Sequence, residues 1–460
     1  MKIRPIKELK TLLVVLILTI TLSFTTCSPQ EAMEKEPFQV EHARWVYNAT
    51  LYEVNIRQYT PEGTFSAFEE HLPRLKELGV KILWLMPIHP IGEKERKGTL
   101  GSYYSIKDYK GVNPEFGTME DFKHLVNTAH DLGMKVILDW VANHTAHDNP
   151  LVNEHPDWYQ RDSLGNPVSP YDWTDVIQLN YNNDELQDYM IGALEYWVKE
   201  ANVDGYRCDV ASMVPTDFWN RARKELDEIK PVFMLAEAEE IDLMEHAFDA
   251  DYAWEFHHIM NNIAKGEKTV LDIDEYFQKE LATYPKGTIK MHFTSNHDEN
   301  SWAATEFTRL GDGVKTFAAL TYVIPGMPLL YSGQEVGFDH MLEFFEKDEI
   351  DWTPNPEFTE FYKKLIELKK NNTAIWASKK GGDMFRVKTS NDVNIFAFTR
   401  ENENDKVFAI FNLSNLRQSV GLKDNAFVGS YTELFSQEQK VFTEGASVEL
   451  NPWEFFIYVK

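Results

Sequence analysis

The feature that most limits the fold of this chain is a rhythm. From about Trp45 to residue 376, short apolar runs alternate eight times with longer amphipathic stretches. The candidate strands are LYEVNI (51–56), KILWLM (81–86), KVILDW (135–140), GYRCDV (205–210), VFMLAE (232–237), DYAWEF (251–256), IKMHFT (289–294) and PLLYSG (328–333). Between them, apolar residues recur at spacings of three and four, as in Phe65, Phe68, Leu72, Leu75 and Leu78. Further helical stretches are expected near 119–132, 185–200, 216–229, 313–322 and 357–370. Strands alternating with helices build a parallel sheet, either closed into a barrel or open with helices on both faces. Eight beats fit an α/β chain with a (β/α)8 TIM barrel, and the roughly 330 residues they occupy exceed the roughly 250 of a minimal barrel. The excess lies between Trp140 and Glu185, a segment rich in Asp, Asn, Pro, Trp and Tyr that reads as a small inserted lobe after strand 3. From about Ser378 the texture changes to short alternating runs (MFRVKT, VNIFAFTR, KVFAIFNL, SVELNPWEFFIYVK) broken by Gly, Asn and Asp. That is the pattern of a C-terminal antiparallel β-sandwich. The expected domains are a barrel over 45–376, interrupted by a lobe at about 145–182, and a sandwich over 377–460.

The first 44 residues do not share the rhythm. Lys2, Arg4, Lys7 and Lys10 precede an apolar run from Thr11 to Phe24. The run is shorter than the roughly 20 residues that span a bilayer and suits the apolar region of a signal peptide. It ends in Phe24-Thr25-Thr26-Cys27, which resembles the lipobox of bacterial lipoproteins, with Phe24 where Leu is usual. The resemblance implies a signal peptide over 1–26, a lipidated Cys27 and a tether over 27–44. The chain would then be exported and lipid-anchored at a bacterial membrane, on its periplasmic or cell-surface face. Plain secretion is the alternative. The formal charge of −27 excludes a nucleic-acid binder, which needs a basic face. Loss of the leader makes the chain more acidic still, so membrane contact is expected only through the lipid. Two cysteines exclude a disulfide framework and a thiolate zinc site.

In a barrel of this kind, chemistry gathers at the C-terminal ends of the strands. Strand 3 runs into Asp139-Trp140-Val141-Ala142-Asn143-His144, strand 4 into Arg207-Cys208-Asp209, strand 5 into Glu237 and strand 7 into Asn296-His297-Asp298. A lone acid after a strand is more often a helix cap. Four junctions supplying Asp, His, Arg and Glu would converge on one mouth, where neighbouring carboxyls push each other's pKa values apart. An ionised carboxylate beside a protonated one is what acid-assisted cleavage of a glycoside through a carboxylate nucleophile requires. Cys208, in an apolar strand, reads as a small core residue. His257 and His258, read as strand neighbours, would face opposite ways and make no ligand pair.

Four motifs in order make the chain similar to the alpha-amylase family of glycoside hydrolases: DWVANH (139–144), GYRCD (205–209), FMLAE (233–237) and SNHDEN (295–300). GSYYSIKDY (101–109), LGVKILWLMPIHP (78–90) and GMPLLYSGQE (326–335) agree with it. Position by position, the resemblance implies that Asp209 is the nucleophile, Glu237 the general acid/base and Asp298 the third carboxylate. It also implies that His144 and His297 hold sugar hydroxyls and that Tyr104 is the aromatic platform under the sugar. Arg207, two residues before Asp209 and on the same face, would keep that carboxylate ionised, while Asp139 would brace the site from below.

The chain also departs from the pattern. Calcium-dependent relatives pair an Asn of the first motif with an Asp of the lobe. Here Asn143 is present, but Gln178 stands in the matching VIQLN run. Calcium affinity follows ligand charge, so no cofactor is required and only weak calcium binding is expected near Asn143. With no metal, the lobe should be held by Trp158, Tyr159, Tyr171 and Trp173. The Lys-His pair that many relatives carry after the nucleophile is Ser212-Met213. The expectation is a retaining hydrolase of mainly α-1,4 bonds in starch-derived glucans and malto-oligosaccharides. The alternatives are a transglycosylase or glucan isomerase, and a non-catalytic glucan-binding surface protein.

Overall fold

The structure, a computed structural model, describes residues 40–460, so the expected signal peptide, Cys27 and most of the tether lie outside the described residues. The eight runs form eight parallel strands: β1 (Leu51–Val54), β2 (Ile82–Leu85), β3 (Lys135–Trp140), β4 (Gly205–Cys208), β5 (Phe233–Ala236), β6 (Ala250–Tyr252), β7 (Ile289–His292) and β8 (Met327–Tyr331). They close into a barrel in sequence order, with β8 returning to β1. The strands are buried on both faces, which is why they read as unbroken apolar runs. Leu51, Ile82, Ile137, Phe233, Ala250, Ile289 and Met327 fill the barrel interior. Tyr206 and Cys208, of opposite parity to Arg207, join the layer between barrel and helices. Gly205 opens β4 at φ +150°, and a Cβ there would lie 1.9 Å from the Phe233 carbonyl oxygen. Only glycine lets β4 approach β5 so closely.

Two local expectations are corrected. The stretch from Phe65 to Leu78 is two helices, Phe65–Glu69 and Leu72–Leu78, because Pro73 lies in the first turn of the second. Proline suits a first turn and cannot donate within a continuous helix. DYAWEF is strand only to Tyr252. From Trp254 to Ala264 the chain is helical, with Phe256, His257, Met260 and Ile263 on its buried side. His257 therefore packs on a helix, its ring stacked on Phe293 at 4.6 Å. A further helix, Val270–Thr283, completes the crossover to β7.

The inserted lobe is built on a two-stranded antiparallel sheet, His144–Ala146 against Val176–Gln178, in which His144 pairs with Gln178. Trp158 and Tyr159 are buried there as expected, whereas Tyr171 is 78% exposed and Trp173 half-buried. The C-terminal region forms a sandwich. One sheet has six strands in the order β9 (Met384–Arg386), β10 (Ile395–Glu401), β11 (Lys406–Asn412), β16 (Phe455–Val459), β13 (Gly429–Glu433) and β14 (Gln439–Phe442). A second, two-stranded sheet pairs β12 (Gln418–Gly421) with β15 (Ser447–Leu450). The IFAF run of β10 is buried on both faces: Ile395 and Ala397 enter the sandwich core, while Phe396 and Phe398 join the barrel's outer core.

Candidate active site

At the C-terminal end of the barrel the inward positions turn polar. Asp139 on β3 and Arg207 on β4 are register partners, so their side chains share the interior face. Arg207 is fully buried and organises the mouth. Its Nη1 donates to Asp139 Oδ1 at 2.9 Å and to Asp209 Oδ1 at 3.0 Å, and its Nη2 pairs with Glu237 Oε2 at 2.8 Å. Its Nε donates to the Tyr252 hydroxyl, and its guanidinium lies within 6 Å of the rings of Trp84, Tyr104 and Tyr252, the range of cation–π attraction. Asp139 is braced by Trp84 Nε1 and the Tyr104 hydroxyl, each at 3.1 Å.

Glu237 has a second anchor. The Val210 amide donates to its Oε2 at 2.8 Å, and Val210 sits at φ +37°. A β-branched residue in the left-handed region is strained, and the strain falls on the residue that follows Asp209 and aims an N–H at Glu237. Asp298 begins a five-residue π-turn (Glu299–Ala303), yet its side chain makes no capping hydrogen bond. It faces His297 Nε2 at 3.4 Å instead.

His297 links the site to β1. Its Nδ1 meets Glu53 Oε1 at 2.5 Å and its Nε2 meets the Tyr104 hydroxyl at 2.8 Å. The Tyr104 ring stacks on His297 at 5.5 Å and 19°. His144 packs against Trp173 at 5.5 Å and against the Tyr104 backbone. The structure thus brings Tyr104, His144, Arg207, Asp209, Glu237, His297 and Asp298 into one connected cluster.

The electrostatics differ from the sequence expectation in one respect. Burial raises both Asp209 and Glu237, Asp209 well above the usual carboxylate range, and Arg207 opposes the rise in each. The expectation that Arg207 alone fixes Asp209 as a carboxylate leaves out this desolvation and the repulsion from Glu237, Asp139 and Asp298. Burial also raises Glu53 and Asp139. Burial alone would lower His297, but Asp298 and Glu53 override it and lift the ring to about 9. Burial takes His144 the other way, to about 3, so it is neutral. Five carboxyls, those of Glu53, Asp139, Asp209, Glu237 and Asp298, therefore face Arg207 and His297.

Sequence reasoning missed Glu53, Tyr252 and the Val210 amide. Glu53 was legible only as an acid inside an apolar strand. Tyr252 had no signal beyond its strand, and a backbone angle has none at all. A recess of about 820 Å³ at the opposite end of the barrel is lined by Glu41, Trp45, His130, Lys135, Asp204 and Lys230. Its Asp204 is paired with His130, Lys135 and Lys230, which reads as structural.

The donors near Asn143 are engaged within the protein. The Asn143 amide lies 3.2 Å from His144 Nδ1, and its backbone carbonyl accepts from Leu179. The Asp148 carboxylate is taken by Lys107 at 3.2 Å and by the Glu93 amide. Asp162 closes its own turn through Leu164 and Asn166. Among the described residues, no three His, Cys, Asp or Glu side chains gather as a metal site.

A profile for the alpha amylase catalytic domain matches residues 23–176 and 170–419, and one for the alpha-amylase SusG C-terminal domain matches 395–457. A maltogenic alpha-amylase, AmyB, from Thermotoga neapolitana superposes with a TM-score of 0.83 and 31% identity, over 90% of this chain and 98% of that one. An alpha-amylase from Lactobacillus plantarum gives 0.81 and 32%, over 90% and 99%. A maltogenic alpha-amylase from Bacillus acidopullulyticus is 27% identical, over 86% of this chain and 70% of its own length. Alpha-amylase MalA from Haloarcula japonica is 25% identical over 82% of this chain, which spans 57% of that protein's length.

Proposed function

Because the chain belongs to the alpha-amylase family of glycoside hydrolases, we propose that it cleaves α-glucosidic bonds, mainly α-1,4, of starch-derived glucans and malto-oligosaccharides by double displacement. The observation that carries the reading is the single guanidinium of Arg207 holding Asp209 and Glu237 together, with a strained amide fixing Glu237. Asp209 attacks the anomeric carbon while Glu237 protonates the departing oxygen, and the C1–O bond breaks as the glycosyl-enzyme ester forms. Glu237, now a carboxylate, takes a proton from water, whose oxygen attacks C1 and releases Asp209. Coupled acids share protons as a set. This sequence uses the state with the proton on Glu237 and Asp209 paired to Arg207. Asp298 and His297 hold the hydroxyls of the sugar lying on Tyr104.

Digestion of maltoheptaose tests the reading. Shorter sugars alone support hydrolysis, longer sugars mean transfer, and no product means a binding protein. NMR of the first product anomer tests retention, and a β-anomer from an α-linked substrate would overturn it. We further read the protein as exported and anchored through a lipid on Cys27. Incorporation of labelled palmitate, lost in Cys27→Ser, tests that assignment. Nothing in the donor set near Asn143 calls for calcium, and we read the enzyme as active without it.

A further inference from the structure

Two histidines stand side by side at 257 and 258, and the reaction derived above uses neither. His258 is exposed, whereas His257 is 1% exposed and lies against the loop that carries His297 and Asp298. Two side chains staple that loop. Arg309, on the short helix Glu306–Leu310, donates from Nη2 to the Thr294 carbonyl at 2.6 Å and from Nε to the Ala304 carbonyl at 3.0 Å. His257 spans a shorter stretch. Its Nδ1 is 3.1 Å from the Phe293 carbonyl oxygen, and its Nε2 is 3.0 Å from the Glu299 carboxylate. One ring thus ties the residue that follows β7 to the residue that follows Asp298. Asn296 and Asn300 hold the backbone of the π-turn, while the Glu299 side chain is held by His257 and, at 3.6 Å, by Arg309. The Asp298 carboxyl makes no capping bond in the turn it begins, so its place depends on how that turn is held.

Nε2 of His257 is contested. The Asn261 amide nitrogen lies 2.8 Å from it, and Arg309 Nη1, donating to Asn261 Oδ1 at 2.9 Å, fixes which end of that amide faces the ring. An amide N–H needs a lone pair on Nε2, and a carboxylate needs a proton there. The two partners cannot be served at once. A neutral ring, protonated on Nδ1 toward Phe293, accepts from Asn261 and turns a lone pair on Glu299. A charged ring donates to Phe293 and Glu299 together and gives up Asn261, whose amide keeps the His257 carbonyl at 3.1 Å. Burial favours the neutral ring, Glu299 the charged one, and Arg309 adds to the side of the neutral ring. The other titratable neighbour is His258, with its ring 5.8 Å away on the same helix. Glu306, which acts on Arg309, is itself bonded to Thr294 and Gln334. A histidine whose two protonation states choose different partners is a two-state element.

We propose that His257 is a positioning residue for Asp298 under proton control: the charged ring clamps Glu299 and sets the turn for catalysis, and the neutral ring turns to Asn261 and lets Glu299 go. The role rests on the hydrolase reading, because Asp298 and His297 act on the sugar only there.

NMR of enzyme labelled with 15N-histidine, alongside kcat on maltoheptaose as a function of pH, tests the proposal. The charged form of His257 should carry protons on both ring nitrogens and the neutral form on Nδ1 alone. As the ring loses its proton, kcat should fall on the order of tenfold, the scale of a small misplacement of a catalytic group. KM should change little, as for an interaction that tightens in the transition state. In Glu299→Gln the amide can accept from a charged ring or donate to a neutral one, so that limb should vanish with kcat at its upper level. His257→Phe keeps an aromatic ring against Phe293 and loses both hydrogen bonds; it should lack the limb as well, with kcat at the lower level. A limb that survives in Glu299→Gln overturns the proposal. So does a His257→Phe enzyme with wild-type kcat and only a lower melting temperature, which is what a merely structural role would give. If His257→Phe does not fold, Glu299→Gln decides. A wild type that cleaves maltoheptaose with no change in kcat across the His257 titration overturns the proposal and leaves the hydrolase reading standing. A wild type that cleaves nothing at any pH overturns both.

Discussion

Among the described residues, two arginines, Arg207 and Arg400, are fully buried, and they are satisfied in opposite ways. Arg207, at the barrel mouth, contacts the carboxylates of Asp139, Asp209 and Glu237. Arg400, on β10, donates among the described residues to carbonyls, those of Val323, Ile324, Ile375, Trp376 and Gly382, and the charge of Asp383 only partly offsets its burial. Those carbonyls close the end of the Val314–Val323 helix and the crossing from barrel to sandwich. Neighbouring Lys369 repeats the arrangement, donating to Gly326 and Ile375. Burial pulls Arg400 down to about 9 and Lys369 well below its usual range, whereas the acids around Arg207 hold its pKa well up. Surrounding a cation with formal charges creates a cluster in which protons move. Surrounding it with carbonyls creates a joint that has no chemistry to do.

The largest expected effect breaks the first arrangement. Asp209→Asn and Glu237→Gln should each lose on the order of a thousandfold in kcat while remaining folded. The losses should not add, because both groups serve one sequence of steps. Substrates with good leaving groups should rescue the first step in Glu237→Gln and not in Asp209→Asn; equal failure of both would contradict the assignment. Stability should move the other way. A carboxyl raised by burial binds its proton more tightly in the folded state, so its contribution falls as pH rises through that raised value. Calorimetry at pH 8 should therefore find Asp209→Asn melting above the wild type.

The second prediction breaks the other arrangement. Arg400→Leu leaves several carbonyls without donors and should cost on the order of 3 kcal/mol of stability, read by urea unfolding. The kcat of the remaining folded enzyme should stay near wild type. Loss of kcat without loss of stability would mean that the joint communicates with the mouth.

These two regions were unequally legible in the sequence. Asp139, Arg207, Asp209, Glu237, His297 and Asp298 stand at strand ends in short runs, and eight beats of apolar residues told which ends would meet. The joint was invisible. Arg400 follows an ordinary strand run, and its partners are backbone atoms from residues 323 to 382, which carry no side-chain signature. The same limit hid the Val210 amide. Tyr171 was misread because composition alone does not separate an aromatic that packs from one that a turn holds out to solvent. The break at Pro73 was readable from proline geometry, but the apolar spacing on both sides of it runs on without interruption.

A third prediction concerns how a neutral partner differs from a charged one. Glu53→Gln keeps the shape beside His297 and removes a charge. Asp298 remains, as do Arg207, Asp139, Glu237 and Tyr104, so the ring should fall from about 9 toward its ordinary value without reaching the pKa of buried His144. NMR titration of the imidazole would report this directly. The alkaline limb of kcat/KM should move down with it, costing about tenfold at pH 8 and less at pH 6. The sign for stability follows from the raised value. His297 stabilises the fold fully below its unfolded pKa near 6.5, and that contribution is lost as pH rises through about 9. In Glu53→Gln the loss should come at lower pH.

The smallest expected effect lies at a third junction, where the cations are partly exposed. The lobe is tied to the loop after β2 by Lys97 on Asp175 at 3.1 Å and by Lys107 on Asp148 at 3.2 Å. Each lysine side chain is 34% exposed, so solvent screening leaves each pair worth about 1 kcal/mol or less. These lysines supply positive charge beside the acids that a calcium ion would need, while Asn143 and Gln178 offer only neutral oxygens. Trp158, Tyr159 and Ile177 of the lobe are buried and supply packing that needs no metal. A strong chelator should therefore shift the melting temperature by no more than a degree or two. Raising salt to 1 M, where the screening length falls to about 3 Å, should lower it slightly more in the wild type than in Lys97→Met/Lys107→Met. A fall of many degrees on chelation, reversed by calcium alone, would mean that Asp148 exchanges its lysine for a metal and that the lobe is a metal-held joint.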